Sequence, residues 1–212
     1  MPRIAEARQP AEPHSAEQHE RYARILKAAS RLGAEHGMER MQMADVAKEA
    51  GVAIATLYRY FPSKTDLFVG VLHRQIERLQ GAEPVVAAQD RAPSQAVADI
   101  LHGAGRRLLA RPQLATAMLQ ANNAAQLQGG REYTAANAAF HQVLLTALGV
   151  PDPQDPEEED LRMVRIVEQT WYGILISVLN GLIDIEQSEA DVRLAARLLL
   201  GPRYDGEPGA AG

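Results

Sequence analysis

The run Met43-Ala44-Asp45-Val46-Ala47-Lys48-Glu49-Ala50-Gly51-Val52, continued after Ala53 by Ile54-Ala55-Thr56-Leu57-Tyr58-Arg59-Tyr60-Phe61-Pro62-Ser63-Lys64, decides the fold. Its first half reads as a short helix that ends at Gly51, the residue type that accommodates a sharp C-terminal bend. Its second half predicts another short helix, stopped by Pro62, which has no N–H to continue the ladder. Two such helices joined by a glycine turn form a helix-turn-helix pattern. Ala47 is small enough for close packing, and Val46, Val52 and Leu57 point inward to hold the helices at a fixed angle. The outward residues of the second helix are then Ile54, Ala55, Thr56, Tyr58, Arg59 and Tyr60, and these are what DNA would meet.

The rest of the chain is helical by the same test. Tyr22, Ile25, Leu26, Ala29 and Leu32 recur at helical spacing between Arg21 and His36, with Gly37 as the stop. Ser63 is placed to cap an amphipathic helix from Lys64 to about Gln80. Beyond Gly81, Ser94 is the expected cap of the next helix, and Pro112 suits the first turn of the one after it. Gly129-Gly130 and the loop from Gly149 to Pro156 separate two more. Glu157-Glu158-Glu159-Asp160 crowds a helix N-terminus, where negative charge suits the dipole. Ser188-Glu189-Ala190-Asp191 has the form of a capping box for a last helix ending at Gly201-Pro202. No segment reads as a strand. The expected architecture is all-α, with an arm over 1–16, a three-helix helix-turn-helix domain over 17–65, a larger helical body over 66–202 and a flexible tail over 203–212.

Composition narrows the function classes. Of 212 residues, 46% are hydrophobic and 23% charged, the mix of a folded domain rather than a disordered or fibrous one. The longest apolar run, Ile174-Leu175-Ile176-Ser177-Val178-Leu179, is far short of the roughly 20 residues a bilayer needs, so no membrane association is expected. No secretory signal is visible, and the absence of cysteine excludes disulfides, thiolate nucleophiles and Cys-ligated zinc; a cytoplasmic location is the expectation. The net charge of −5 is unevenly divided. Residues 1–65 hold ten Lys/Arg against eight Asp/Glu and all three lysines (Lys27, Lys48, Lys64), whereas residues 66–212 hold twelve against nineteen. That is a hint of a polyanion-facing module attached to an acidic body.

With these residues quoted, the chain resembles the TetR family of one-component bacterial transcription regulators over roughly residues 20–80. The resemblance implies that Thr56, Tyr58, Tyr60 and Lys64 touch phosphates, and each has donor chemistry for it. Arg59 is the candidate for direct base reading, since a guanidinium can bond a guanine O6/N7 pair; a solvated helix charge is the other reading of it. Two departures stand out. Gln42 occupies a position where a capping Thr is common, and Ala44 one where several members carry a base-contacting Arg or Ser. Gln42 can still donate to phosphate, but the helix that starts at Met43 is expected to read less sequence here. Arg3 and Arg8 either enter a minor groove or belong to a functionless arm.

The family resemblance further implies that the helical body binds a ligand and dimerises. Val164, Val167, Trp171, Leu175 and Val178 on one helix, with Val192, Ala195, Ala196 and Leu199 on the next, are the expected dimer faces, giving a homodimer on a palindromic double-stranded DNA operator. The helix Lys64 to Gln80 is the natural lever between reader and body. A small-molecule effector is expected among Met118, Asn122, Asn123, Tyr133, Asn137, His141, Trp171 and Tyr172, polar groups among apolar ones. The Gln42-Met43-x-x-Val46-Ala47 start, the run Thr56 to Lys64, Arg111-Pro112-Gln113-Leu114 and Leu194 to Gly201 resemble actinobacterial repressors of steroid and lipid catabolism. This implies a bulky apolar effector such as an acyl-CoA or sterol intermediate; regulators of drug efflux are the competing reading. No cofactor or metal is expected, because neither His102 nor His141 has a partner at recognised ligand spacing. An enzyme using His141, Tyr133 or Glu168 lacks a nucleophile, a phosphate loop and a metal motif.

Overall fold

The computed structural model describes residues 11–81, 91–128 and 131–206. Its helices are α1 (Ala16–Arg40), α2 (Met43–Ala50), α3 (Ile54–Tyr60), α4 (Lys64–Gly81), α5 (Pro93–Leu109), α6 (Pro112–Gln128), α7 (Arg131–Ala147), α8 (Glu158–Leu179) and α9 (Ile185–Tyr204), and no strand occurs among the described residues. The chain forms two compact units, Met1–Arg74 with Gln113–Tyr133, and Gln75–Pro112 with Thr134–Gly212. The expected boundary after residue 65 separated reader from body. The first unit instead takes in most of α4 and nearly all of α6, while the second holds α5, α8, α9 and most of α7.

In the first unit the helical repeat of α1 buries Ile25, Leu26, Ala29 and Leu32, and α2 and α3 close over them with Val46, Leu57, Tyr60 and Phe61. Gly33 lies where a Cβ would come 2.6 Å from the Phe68 ring and 3.1 Å from Leu114, so a side chain there would separate α1 from α4 and α6. Gly37 ends the regular part of α1 at φ 70°, ψ 175°, after which one more turn runs to Arg40. Ser63 caps α4 as expected, its Oγ accepting from the Asp66 amide at 3.1 Å.

The second unit packs α9 against α5 and α8, with Val97, Leu101, Val164, Leu175, Val192, Ala196 and Leu200 in its core. Three helix ends differ from the sequence expectation. Ser94 does not cap α5; Ala92 holds that position, and Ser94 is buried in the first turn, where its amide and Oγ both donate to the Asp205 carboxylate at 2.9 and 2.5 Å. The capping box of α9 is built by Asp184 and Gln187, four residues earlier than Ser188-Asp191, and Ser188 is buried within the helix. Nor does α9 stop at Gly201-Pro202: the chain from Arg203 to Asp205, expected to be part of a flexible tail, is fastened.

Its anchors are side chains far away in sequence. Arg203 pairs with Glu157 at 3.0 Å, Glu159 at 3.2 Å and Asp160 at 3.1 Å, and the Tyr204 hydroxyl donates to Asp160 Oδ1 at 2.6 Å. Asp160 is buried, and a buried carboxylate is tolerable only when paired and hydrogen-bonded in this way. The expected dimer faces are also corrected. Val164, Val167, Leu175, Val192 and Ala196 are buried within the unit, whereas Leu161 and Ile166 on α8 and Leu194 and Leu198 on α9 are exposed.

Two outcomes test this unit. Asp205→Ala leaves Ser94 buried without its partner and is expected to cost about 1–3 kcal/mol in urea unfolding; an unchanged midpoint would remove the Asp205 contact from the account. Burial, and then the bond to Asp160, push the Tyr204 phenol from 10.0 up to about 12. Because the folded state holds the proton more tightly, Tyr204's contribution is intact below pH 10 and is lost as pH rises towards about 12. Stability measured over that window should fall less steeply in Tyr204→Phe than in the natural sequence.

Candidate functional site

The helix-turn-helix is made by one turn. Gly51 adopts φ 65°, ψ 40°, and its amide and that of Val52 reach back to the carbonyls of Lys48 and Ala47 at 3.2 and 3.0 Å. A residue with a Cβ is strained in this left-handed region, so the glycine is required by the bend. The inner face of α3 is then spent on packing: Leu57 is fully buried, and Tyr22 on α1 sits edge-on to Tyr60 at 5.7 Å and tilted against Phe61 at 4.9 Å. The α1 side chains also hold α2, with Arg24 Nε donating to the Ala50 carbonyl at 3.2 Å and Arg31 paired with Glu49.

What remains on the outside is most of the expected DNA face. Ile54, Ala55 and Arg59 are exposed, Tyr58 keeps 47% of its surface, and Thr56 is half-buried. Gln42 and Ala44 at the start of α2 are also exposed, and Gln42, although at the N-cap position, makes no side-chain capping bond. Tyr60 is a correction: only 1% of it is exposed, because its place in the helical repeat is on the Leu57 face, against Tyr22. Its ring lies beside the Arg59 guanidinium, 5.2 Å from the centroid, which holds that side chain against the helix. Lys64 is half-buried, and its Nζ donates to the carbonyls of Met38 and Glu39 at 3.2 and 3.0 Å, at the end of α1. An ammonium has three donors, so one is left over. The sequence did not disclose that the Ala11 amide donates to the Arg59 carbonyl at 3.0 Å, which brings the segment before α1 beside the recognition helix. Arg3 and Arg8 lie outside the described residues.

The expected effector residues divide between the two units. Met118 and Asn122 are buried in the first, on α6, and Asn123 on the same helix is exposed. Burial of Asn122 carries a cost, because its Oδ1 has no hydrogen-bond partner among the described residues, and such a group typically costs about 1–3 kcal/mol. In the second unit Asn137 and Trp171 are half-buried, Trp171 stacks on Phe140 at 5.5 Å, and burial raises the half-exposed Tyr172 phenol above its ordinary value. The side chain of Tyr133 lies outside the described residues. His141 Nε2 is 2.7 Å from Glu168 Oε2, and His102 Nε2 is 3.3 Å from Glu189 Oε2. Both histidines therefore do have carboxylate partners, on other helices, where spacing along the chain could not show them. Among the described residues no group of three or more such side chains comes together to hold a metal ion. A small surface groove is lined by Trp171 with Leu101, His102, Arg106, Ile174 and Ser188; of the expected effector residues it takes in Trp171 alone.

Residues 25–71 match the family described as "Bacterial regulatory proteins, tetR family", and residues 91–199 match "Tetracyclin repressor-like, C-terminal domain". The HTH-type transcriptional repressor KstR of Rhodococcus jostii is 32% identical over 186 residues, covering 87% of this chain and 84% of that one. The chain belongs to the TetR family. Its helix-turn-helix is thus the DNA-binding element of a transcriptional regulator, and the family is one of regulators rather than enzymes. A crystal structure of a TetR transcriptional regulator from Rhodococcus sp. RHA1 is similar with a TM-score of 0.79 and 44% identity, covering 87% of this chain and 97% of that one. Thermus thermophilus FadR, a repressor solved in complex with lauroyl-CoA, shares the fold with a TM-score of 0.66 at 19% identity, covering 90% and 99%. No helix of the described residues of this TetR-family chain is long and apolar enough to cross a membrane.

The Lys64 bonds to α1 have a measurable consequence. Lys64→Ala should lower unfolding stability by about 0.5–2 kcal/mol, since the last carbonyls of α1 lose a charged donor. Retention of full stability would show that the ammonium is not held there.

Proposed function

We propose that this protein is a ligand-responsive repressor that binds a palindromic operator as a homodimer and releases it when a small apolar effector, a steroid or acyl-CoA intermediate of lipid catabolism, binds. In this reading residues 17–65 read DNA and the helices beyond them sense the effector and dimerise. The observation that carries it is the similarity to the KstR repressor across most of both chains, joined to an α3 whose outer face is free for a major groove. The stretches Gln42 to Ala47, Thr56 to Lys64, Arg111 to Leu114 and Leu194 to Gly201 support the lipid-catabolism class.

On DNA, Arg59 reads a base, braced on Tyr60, while Gln42, Thr56 and Tyr58 donate to phosphates and Ile54 and Ala55 offer apolar contact to a thymine methyl. Ala44 is too short to reach a base edge. The remaining N–H of Lys64 is available to a phosphate. Dimerisation through the exposed Leu161, Ile166, Leu194 and Leu198 sets two α3 helices roughly 34 Å apart, in successive major grooves. Release requires only that the effector favour a different spacing by about 1–3 kcal/mol, and by reciprocity operator DNA weakens effector binding equally. The helix α4, continuous from Lys64 to Gly81, is the lever. Operator binding places the protein in the cytoplasm with the chromosome.

Selection of genomic fragments with the purified protein at about 150 mM salt, where non-specific binding is weak, tests this directly. A shared palindrome beside lipid or steroid degradation genes is expected. A site beside an exporter would replace the effector class with toxic compounds, and enrichment of an asymmetric site would overturn the dimer. Arg59→Ala should lose roughly 1–3 kcal/mol at one base position per half-site; equal loss on all operator variants would make Arg59 a phosphate contact.

A further inference from the structure

Four polar or charged side chains are buried among the described residues: Ser94, Asn122, Asp160 and Ser188. Three have their needs met. Ser94 donates to Asp205, Asp160 accepts from Arg203 and Tyr204, and the Ser188 hydroxyl donates to the Ile185 carbonyl at 2.7 Å. Asn122 differs. It is 9% exposed, and its Oδ1 has no hydrogen-bond partner among the described residues. A leucine or alanine at this position would suit the helix better, because asparagine is a poor helix former and carries an amide that must be desolvated. Packing therefore gives no reason for this residue, and an unmet buried acceptor calls for a donor from elsewhere.

We propose that Asn122 is the polar recognition point of the effector, and that the part of the effector reaching it is a neutral hydroxyl on an apolar body. The inference rests on the reading of the protein as an effector-responsive regulator. Its chemistry follows from α6. In this orientation of the amide the unmet atom is the carbonyl oxygen, which accepts and cannot donate, so it favours an O–H over a ketone, ether or carboxylate oxygen in the same place. The helix from Pro112 to Gln128 contains no Asp, Glu, Lys or Arg, so it offers no counter-charge to an ionised group. The neighbours one turn back, Met118 and Leu119, are buried and apolar, and methionine adapts to irregular apolar shapes. Recognition by one hydrogen bond inside apolar surroundings is the arrangement by which a site rejects an analogue that lacks the matching group.

The test uses 2-decanol and 2-decanone, which share a carbon skeleton and differ in hydroxyl against ketone. Binding of each is measured by calorimetry to the natural protein, to Asn122→Leu and to Asn122→Ala, and operator release is followed separately by fluorescence anisotropy. The natural protein should bind the alcohol about tenfold more tightly than the ketone, and both variants should lose that preference while keeping affinity for the ketone. Two substitutions of different volume guard against a packing artefact. The proposal is overturned by equal binding of alcohol and ketone to the natural protein, as an ordered water at Asn122 would produce, by a preference that survives in both variants, or by failure of the alcohol to bind. Preferential binding of the alcohol without operator release would keep Asn122 as a recognition point and defeat the effector-controlled repressor. Operator release that is indifferent to Asn122 would do the reverse.

Discussion

A seven-residue helix cannot hold its own shape in water, since nucleating the first turn costs more than so few hydrogen bonds return. The recognition helix α3, Ile54–Tyr60, is of that length, and the DNA face depends on what its inner side buries. Leu57, Tyr60 and the following Phe61 are all but fully buried, with Tyr22 wedged against the two rings. Tertiary packing thus supplies the rigidity that local propensity cannot. The same contacts decide which residues face outward, so the orientation of Arg59 and Tyr58 follows from the burial of their neighbours. Gly51 sets the direction in which α3 leaves α2, and Lys64, tied to the end of α1, fixes where α4 begins.

The second unit solves a different problem. Its helix α5 begins with N–H groups that need acceptors, α8 begins with carboxylates that need donors, and α9 ends with Arg203, Tyr204 and Asp205. Asp205 supplies the acceptor for α5, and Arg203 with Tyr204 neutralises and satisfies the acidic start of α8. Three consecutive residues thereby connect three helices through polar contacts, each of them reaching the buried Asp160 or the buried Ser94. The exposed ion pairs around them, such as Arg203 with Glu157, add little by themselves, because both partners remain in contact with water.

The helix-turn-helix was legible because its determinants are local. A glycine at the turn, small Ala47, and Val46 and Leu57 at inward positions can be recognised without knowing what they pack against. The effector residues were harder to read. Met118 and Asn122 lie on α6 in one unit, while His141, Trp171 and Tyr172 lie on α7 and α8 in the other. Helical spacing assigns a face to each residue but does not say which faces meet. His141 and Glu168, 27 residues apart, illustrate the limit: the pair exists only because two helices bring it together.

By itself, the sequence determined that the chain is all-helical, that residues 43–64 form a helix-turn-helix, and that Ile54, Ala55, Tyr58 and Arg59 are its outward groups. Periodicity and turn chemistry act over a few residues and leave their mark on neighbours in the chain. Only the tertiary structure decided that Tyr60 is a core residue, that Lys64 caps α1, that Val164 and Ala196 are buried within the unit, and that Asp205 rather than Ser94 serves the start of α5. It also decided that Asn122 Oδ1 is left without a partner among the described residues. Whether a polar group is satisfied depends on atoms brought near by folding, and no pattern along the chain records that.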